Sequence, residues 1–212
     1  MAAALPAPGV DAVALRASYL LEAGPVGSMP PPPTLRGMAG TAMKALAGKK
    51  MHVLLDRIAE RAAFERTGVR LYDMMLQKVA VAPALPAGMT IEGVREIRDE
   101  EHSHYLMLAA AIETPGGDPT AMTPCADVTG VQGTGLVQAM GEPRLTIAQA
   151  LSTLLAAEVI DNASWELLID LANRFGQDEL AAQLTGALAA EQRHEATVRQ
   201  WMATALAEES GV

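Results

Sequence analysis

The chain has 212 residues, 50% of them hydrophobic and 19% charged, enough apolar material to close a sizeable core without disulfide help. Lys and Arg total 16 against 25 Asp and Glu, a net charge of -9, and such a surface excludes a nucleic-acid partner, whose phosphates require cations. The single cysteine, Cys125, rules out an intrachain disulfide, a zinc ribbon and a Cys-x-x-Cys redox pair, and the longest apolar run, Tyr105 to Ile112, falls far short of the ~20 residues that span a bilayer.

Residues 1–36 read as an Ala/Pro-rich arm. Met1 to Pro8 is apolar, but no basic residue precedes it, and Asp11, Arg16 and Glu22 place charges in the segment beyond it. It therefore does not read as an export signal, and the protein is expected in the cytoplasm with no membrane partner. Within the arm, Val10 to Glu22 can form a short helix, and Pro30 to Pro33 impose an extended polyproline stretch.

Residues 37–212 read as one helical domain. A short helix is expected across Gly37 to Ala47. From Lys49 the apolar residues Met51, Leu55, Ile58, Ala62, Val69, Tyr72 and Leu76 follow three-and-four spacing, which predicts a long amphipathic helix ending near Val81, before Pro83 and Pro86. A second helix runs from the N-cap candidate Thr90 to Glu113, with Val94, Ile97, Leu108 and Ala111 on its stripe. Thr114 to Arg144 is rich in Gly, Pro and Thr and reads as one long crossover. A third helix begins near Thr146 and stops at Phe175-Gly176, where glycine suits a C-cap. The fourth runs from Asp178 to about Ala207. Short, long and short links imply two antiparallel hairpins joined by a crossover, an all-α ferritin-like four-helix bundle.

Each apolar stripe is broken by polar groups. Glu65 interrupts the first helix, Glu101 and His104 the second, Glu158 and Asp161 the third, Glu191 and His194 the fourth. Residues three apart share a helix face, so each Glu-x-x-His pair points both side chains the same way. Counted outward from the two hairpin turns, the breaks stand at the same height to within about one turn at ~1.5 Å rise per residue. Buried carboxylates are costly unless paired or protonated. Arg61, Arg66, Arg98 and Arg193 are expected off the main stripe, whereas two divalent cations balance the four glutamates with neutral imidazoles. His52, Glu60, Asp99, His102 and Glu166 are rivals that fall off the seams or far from the common level. Tyr72 and Trp165 lie on the seams, placed either as core filler or to hydrogen bond a ligand or carry radical charge.

The order Glu, Glu-x-x-His, Glu, Glu-x-x-His resembles the ferritin-like di-iron carboxylate superfamily, and its rubrerythrin branch in detail. Glu65-x6-Tyr72 is similar to that branch's first-helix pattern, Glu158-x6-Trp165 echoes it, and Glu158-x-x-Asp161 resembles its extra third-helix carboxylate. Asp161 is one methylene shorter than the usual glutamate and suits indirect support as well as ligation. The resemblance implies two metal ions, iron first and manganese second, that react with O2 or peroxide in an oxidoreductase or peroxidase. It makes Glu65 and Glu158 terminal ligands, Glu101 and Glu191 bridges, and His104 and His194 one nitrogen ligand per metal. Without a rubredoxin-type cysteine quartet, an external electron donor is required. A homo-oligomer, a dimer, is expected; ferroxidase activity with iron storage, or manganese catalase-like activity, are the alternatives.

Overall fold

The computed structural model describes residues 11–24, 26 and 49–211. The polyproline stretch and the helix expected across Gly37 to Ala47 lie outside them. Six helices are present among the described residues: α1 (Ala12–Glu22), α2 (Lys49–Val81), α3 (Ile91–Glu113), α4 (Pro124–Gly141), α5 (Ile147–Arg174) and α6 (Asp178–Ser210). None is long and apolar enough to cross a membrane. Asp11 caps α1 by accepting from the Val13 amide, and no residue of that helix is buried.

The long helices start and stop where side-chain chemistry permits. Thr90 caps α3 by accepting from the Gly93 amide at 2.9 Å. Thr146 and Gln149 form a reciprocal capping box at the start of α5, satisfying two orphan amides. Gly176 turns the chain at φ 67°, a left-handed conformation that L side chains rarely adopt, so α6 folds straight back along α5. Helix α2 packs against α3 and α5 against α6, giving the two expected hairpins, and α2 also meets α5.

The hydrophobic core is in two parts. One end contains Leu71, Met75, Val94, Ile97, Leu151, Leu154, Val198 and Trp201. The other contains Leu54, Ile58, Leu108, Ile112, Trp165, Leu168, Ala172 and Leu184. Along the sequence α2 and α6 pass from the second part to the first, while α3 and α5 pass the other way. The link from α3 to α5 must therefore return the full length of the bundle, and it is not the plain crossover expected for Thr114 to Arg144. The crossover contains α4, which buries Ala126, Thr129, Gly133 and Met140 and packs chiefly on α2. At ~1.5 Å per residue, α4 covers about 27 Å of the return path.

Candidate metal centre

Between the two apolar clusters lies a layer of charged side chains. Glu65, Glu101, Glu158, Asp161, Glu191 and His194 are all at most 3% exposed. His104 is the most open of the seven, with 11% of its side chain accessible. The predicted breaks in the four stripes therefore converge. Their donor atoms form two groups, Glu65 with His104 and Glu191, and Glu101 with Glu158, Glu191 and His194, each with all atoms within 4.8 Å of one another. Glu191 belongs to both. One of its oxygens contacts His104 Nδ1 and the other lies 3.1 Å from His194 Nδ1.

Asp161 belongs to neither group. Arg61 Nη2 lies 2.6 Å from its Oδ1, and Trp165 Nε1 donates to its Oδ2 at 2.9 Å. The expectation that Arg61 sits off the stripe is thereby corrected: it is 2% exposed, and its Nε stands 3.3 Å from Glu65 Oε1. The reason is geometric. Helix α2 has three neighbours, α3, α4 and α5, so more of its circumference is covered than one seam accounts for. The signal available in the sequence was the i, i+4 spacing of Arg61 and Glu65, which places them on one face. Arg66 and Arg193 are exposed and Arg98 half-buried, as expected.

Tyr72 is buried and its hydroxyl donates to Glu158 Oε1 in a short hydrogen bond. Trp165 is fully buried, with its ring edge-on to His104 at 5.8 Å. Of the rivals, His52, Asp99, His102 and Glu166 are exposed, and Glu60 pairs with Arg57 at 2.7 Å.

Three residues not singled out in the sequence shape the layer. Glu100 Oε2 lies 2.6 Å from His194 Nε2, which fixes the ring from outside and leaves Nδ1 facing Glu191. Asn162 donates through Nδ2 to the carbonyls of Glu158 and Glu191, tying α5 to α6 beside their carboxylates. Gly68 is buried, and a Cβ there would occupy the space of the Glu101 carboxylate.

The dry surroundings set the charges. Burial, reinforced by neighbouring carboxylates, pushes Glu65 and Glu101 well above the usual carboxylate range. Burial and the Glu191 charge raise Glu158 to about 8, and burial raises Asp161 to about 7 against the pull of Arg61. Burial also acts to raise Glu191, but the hydrogen bonds from His104 and His194 overcome it and hold the group at about 2. In return, His194 rises to about 9 in spite of its burial. Without a metal, then, burial favours the protonated form of Glu65, Glu101 and Glu158, while Glu191 stays ionised between its two histidines.

That state leaves acceptors unused. Both Glu65 oxygens and Glu158 Oε2 are buried with no hydrogen-bond partner, and such orphans are costly in a dry interior. Carboxylate oxygens and imidazole nitrogens converging in this way fit a pair of divalent iron- or manganese-type cations.

The sequence matches no family model and no curated protein. A solved structure, a ferritin-like, diiron-carboxylate protein from Bacillus anthracis str. Ames, superposes with a TM-score of 0.58 at 17% identity, covering 73% of this chain and 99% of that one. The fold is ferritin-like. In this ferritin-like bundle the charged layer sits mid-length, with side chains from α2, α3, α5 and α6.

Proposed function

We propose that the charged layer holds two metal ions, iron first, and that the protein is a dinuclear oxidoreductase acting on O2 or peroxide, of rubrerythrin type. The observation that carries this reading is Glu65, which is fully buried inside a group of converging donors, with neither carboxylate oxygen hydrogen bonded and the Arg61 guanidinium paired with it at 3.3 Å. Glu65 and His104 would hold one ion, and Glu101, Glu158 and His194 the other. Glu191 lies where it can serve both. Asp161 supports the site through Trp165 and Arg61.

When bound, a pair of iron ions supplies electrons by cycling between Fe(II) and Fe(III). The chain's own groups prepare the place. The apolar clusters on either side keep bulk water from the layer. Tyr72 holds Glu158 Oε1 and leaves Oε2 free to point at a cation. His104, the most accessible donor, marks the side on which a small oxidant can approach. Electrons come from an external donor, and a homodimer is the assembly proposed.

Anaerobic loading with Fe(II), then addition of O2 or peroxide while absorbance and oxidant are followed together, tests the proposal. Two iron ions bound per chain and matched oxidant consumption are expected, with stoichiometric binding of the pair lost in Glu101→Ala and Glu191→Ala. Retention of two ions in both variants would remove the site. Size-exclusion chromatography separates the storage alternative, which requires a large shell, from a dimeric enzyme.

A further inference from the structure

The two halves of the layer match in sequence order but not in surroundings. Around His194 four donors converge, and the outer ring nitrogen is held by Glu100, itself 3.3 Å from Arg193 Nη2. Around His104 only three converge, Glu65, His104 and Glu191. Among the described residues, no carboxylate is paired with His104 Nε2. The decisive difference is Arg61, whose guanidinium reaches Glu65 from one turn away; among the described residues no arginine or lysine is paired with Glu158.

We propose that Arg61 makes the centre unequal: the His194 half takes one divalent cation tightly, while the guanidinium competes for Glu65, so that the ion in the His104 half is weakly held and exchangeable. The inference rests on the reading that this layer binds metal. A guanidinium stays charged at any accessible pH. A cation approaching Glu65 therefore meets a permanent positive charge that already stands 3.3 Å from its ligand oxygen, in an interior where Coulomb forces are weakly screened. Asp161 adds no ligand to offset this, because Arg61 and Trp165 engage its two oxygens.

Arg61 is held on its far side by Asp161 and by the face of the Phe64 ring at 4.5 Å. It lines a cavity of about 450 Å3 between α2 and α5, alongside Val53, Leu167, Leu168 and Leu171. The other two arginines on that wall are already engaged, Arg57 by Glu60 and Arg174 by Asp170, each at 2.7 Å. Arg61 is thus a positioning residue, setting how readily the second ion stays.

Titration of the metal-free full chain with Mn(II), reading free ion by its EPR signal, tests this without any turnover. Wild type should fill in two steps, the first at least about tenfold tighter. Arg61→Gln should tighten the second step about tenfold and leave the first nearly unchanged, whereas Arg61→Lys, which keeps the charge but not the planar set of contacts to Glu65 and Asp161, should tighten it by less. Glu100→Ala should weaken the first step by about 10–100-fold and spare the second. Circular dichroism checks that each variant is folded; if Arg61→Gln is not, the lysine and Glu100 variants decide. Two equal steps in wild type, or equal weakening of both steps by Glu100→Ala, overturn the asymmetry but leave the centre standing. No Mn(II) bound at all removes the centre and this inference together.

Discussion

A methyl group at position 68 would run into Glu101 Oε2 and stand 2.8 Å from Glu101 Cδ. The carboxylate thus reaches across from α3 into a notch on α2 that exists only because Gly68 has no side chain. Glu101 is one of the four donors around His194. Gly68→Ala therefore sets two effects against each other. Alanine favours the helix by about 1 kcal/mol, and the overpacked Cβ costs about 1–3 kcal/mol, so the metal-free protein should remain folded within about 2 kcal/mol of wild type. Metal binding has no such compensation, since Glu101 must leave its place. The expected result is a near-native melting temperature with the tighter metal step weakened by at least about tenfold. Urea melts and a metal titration on one preparation check both halves, and unchanged affinity would mean that the notch does not position Glu101.

At the level of elements, α4 shows what a helix can be made of when its neighbours demand it. Four of its residues, Gly130, Gly133, Gly135 and Gly141, oppose helix formation. Yet the chain must travel from one core cluster back to the other, and a helix satisfies its own backbone along the way. The spacing of Ala126, Thr129, Gly133 and Met140 carries this helix in the sequence, but with small and polar residues it is too faint to read as a stripe. The other long helices are legible because their stripes are large and apolar and their caps, Thr90, Thr146 and Gly176, have local mechanisms. The six converging donors are legible for a related reason, since a carboxylate on an apolar seam is an anomaly wherever it occurs. Glu100, Asn162 and Gly68 work through contacts across helices, which spacing along one helix does not encode, and so does Arg61 where it meets Asp161. The same cross-helix logic separates the glycines of α4. A Cβ on Gly133 would press on Thr67 Cγ2 at 3.1 Å, whereas one on Gly130 or Gly135 would meet nothing. Gly133→Leu should cost about 1–3 kcal/mol by forcing α4 off α2. Gly130→Ala and Gly135→Ala should each add up to about 1 kcal/mol by removing a poor helix former. Thermal melts of the three variants would order them, and equal effects would show that α4 does not rest on α2 through Gly133.

For the molecule as a whole, the charged layer divides the core, and its cost depends on pH. In the metal-free fold Glu158 titrates at about 8 instead of its ordinary 4.5, Asp161 at about 7 instead of 3.8, and Glu65 and Glu101 well above their ordinary value. His194 titrates at about 9 instead of 6.5. In each case the folded chain keeps a proton that the unfolded chain releases at lower pH. Stability therefore falls as pH rises through the interval between the two values. Glu191 works in the opposite sense, being held at about 2, but its contribution is complete above pH 4.5 and is lost only in acid. Between pH 5 and 9 every shifted group of the layer then pulls in one direction. In a chelator, the melting temperature should decline steadily from pH 5.5 to 8.5. Two equivalents of Mn(II) should abolish most of the decline, because the cations take over the role of the protons and release them on binding. Glu158→Gln should flatten the slope in chelator, which separates the layer from the general self-repulsion of a chain with net charge -9. A melting temperature in chelator that stays level or rises across this range would show that the carboxylates are already paired, and that a metal has no buried charge to relieve.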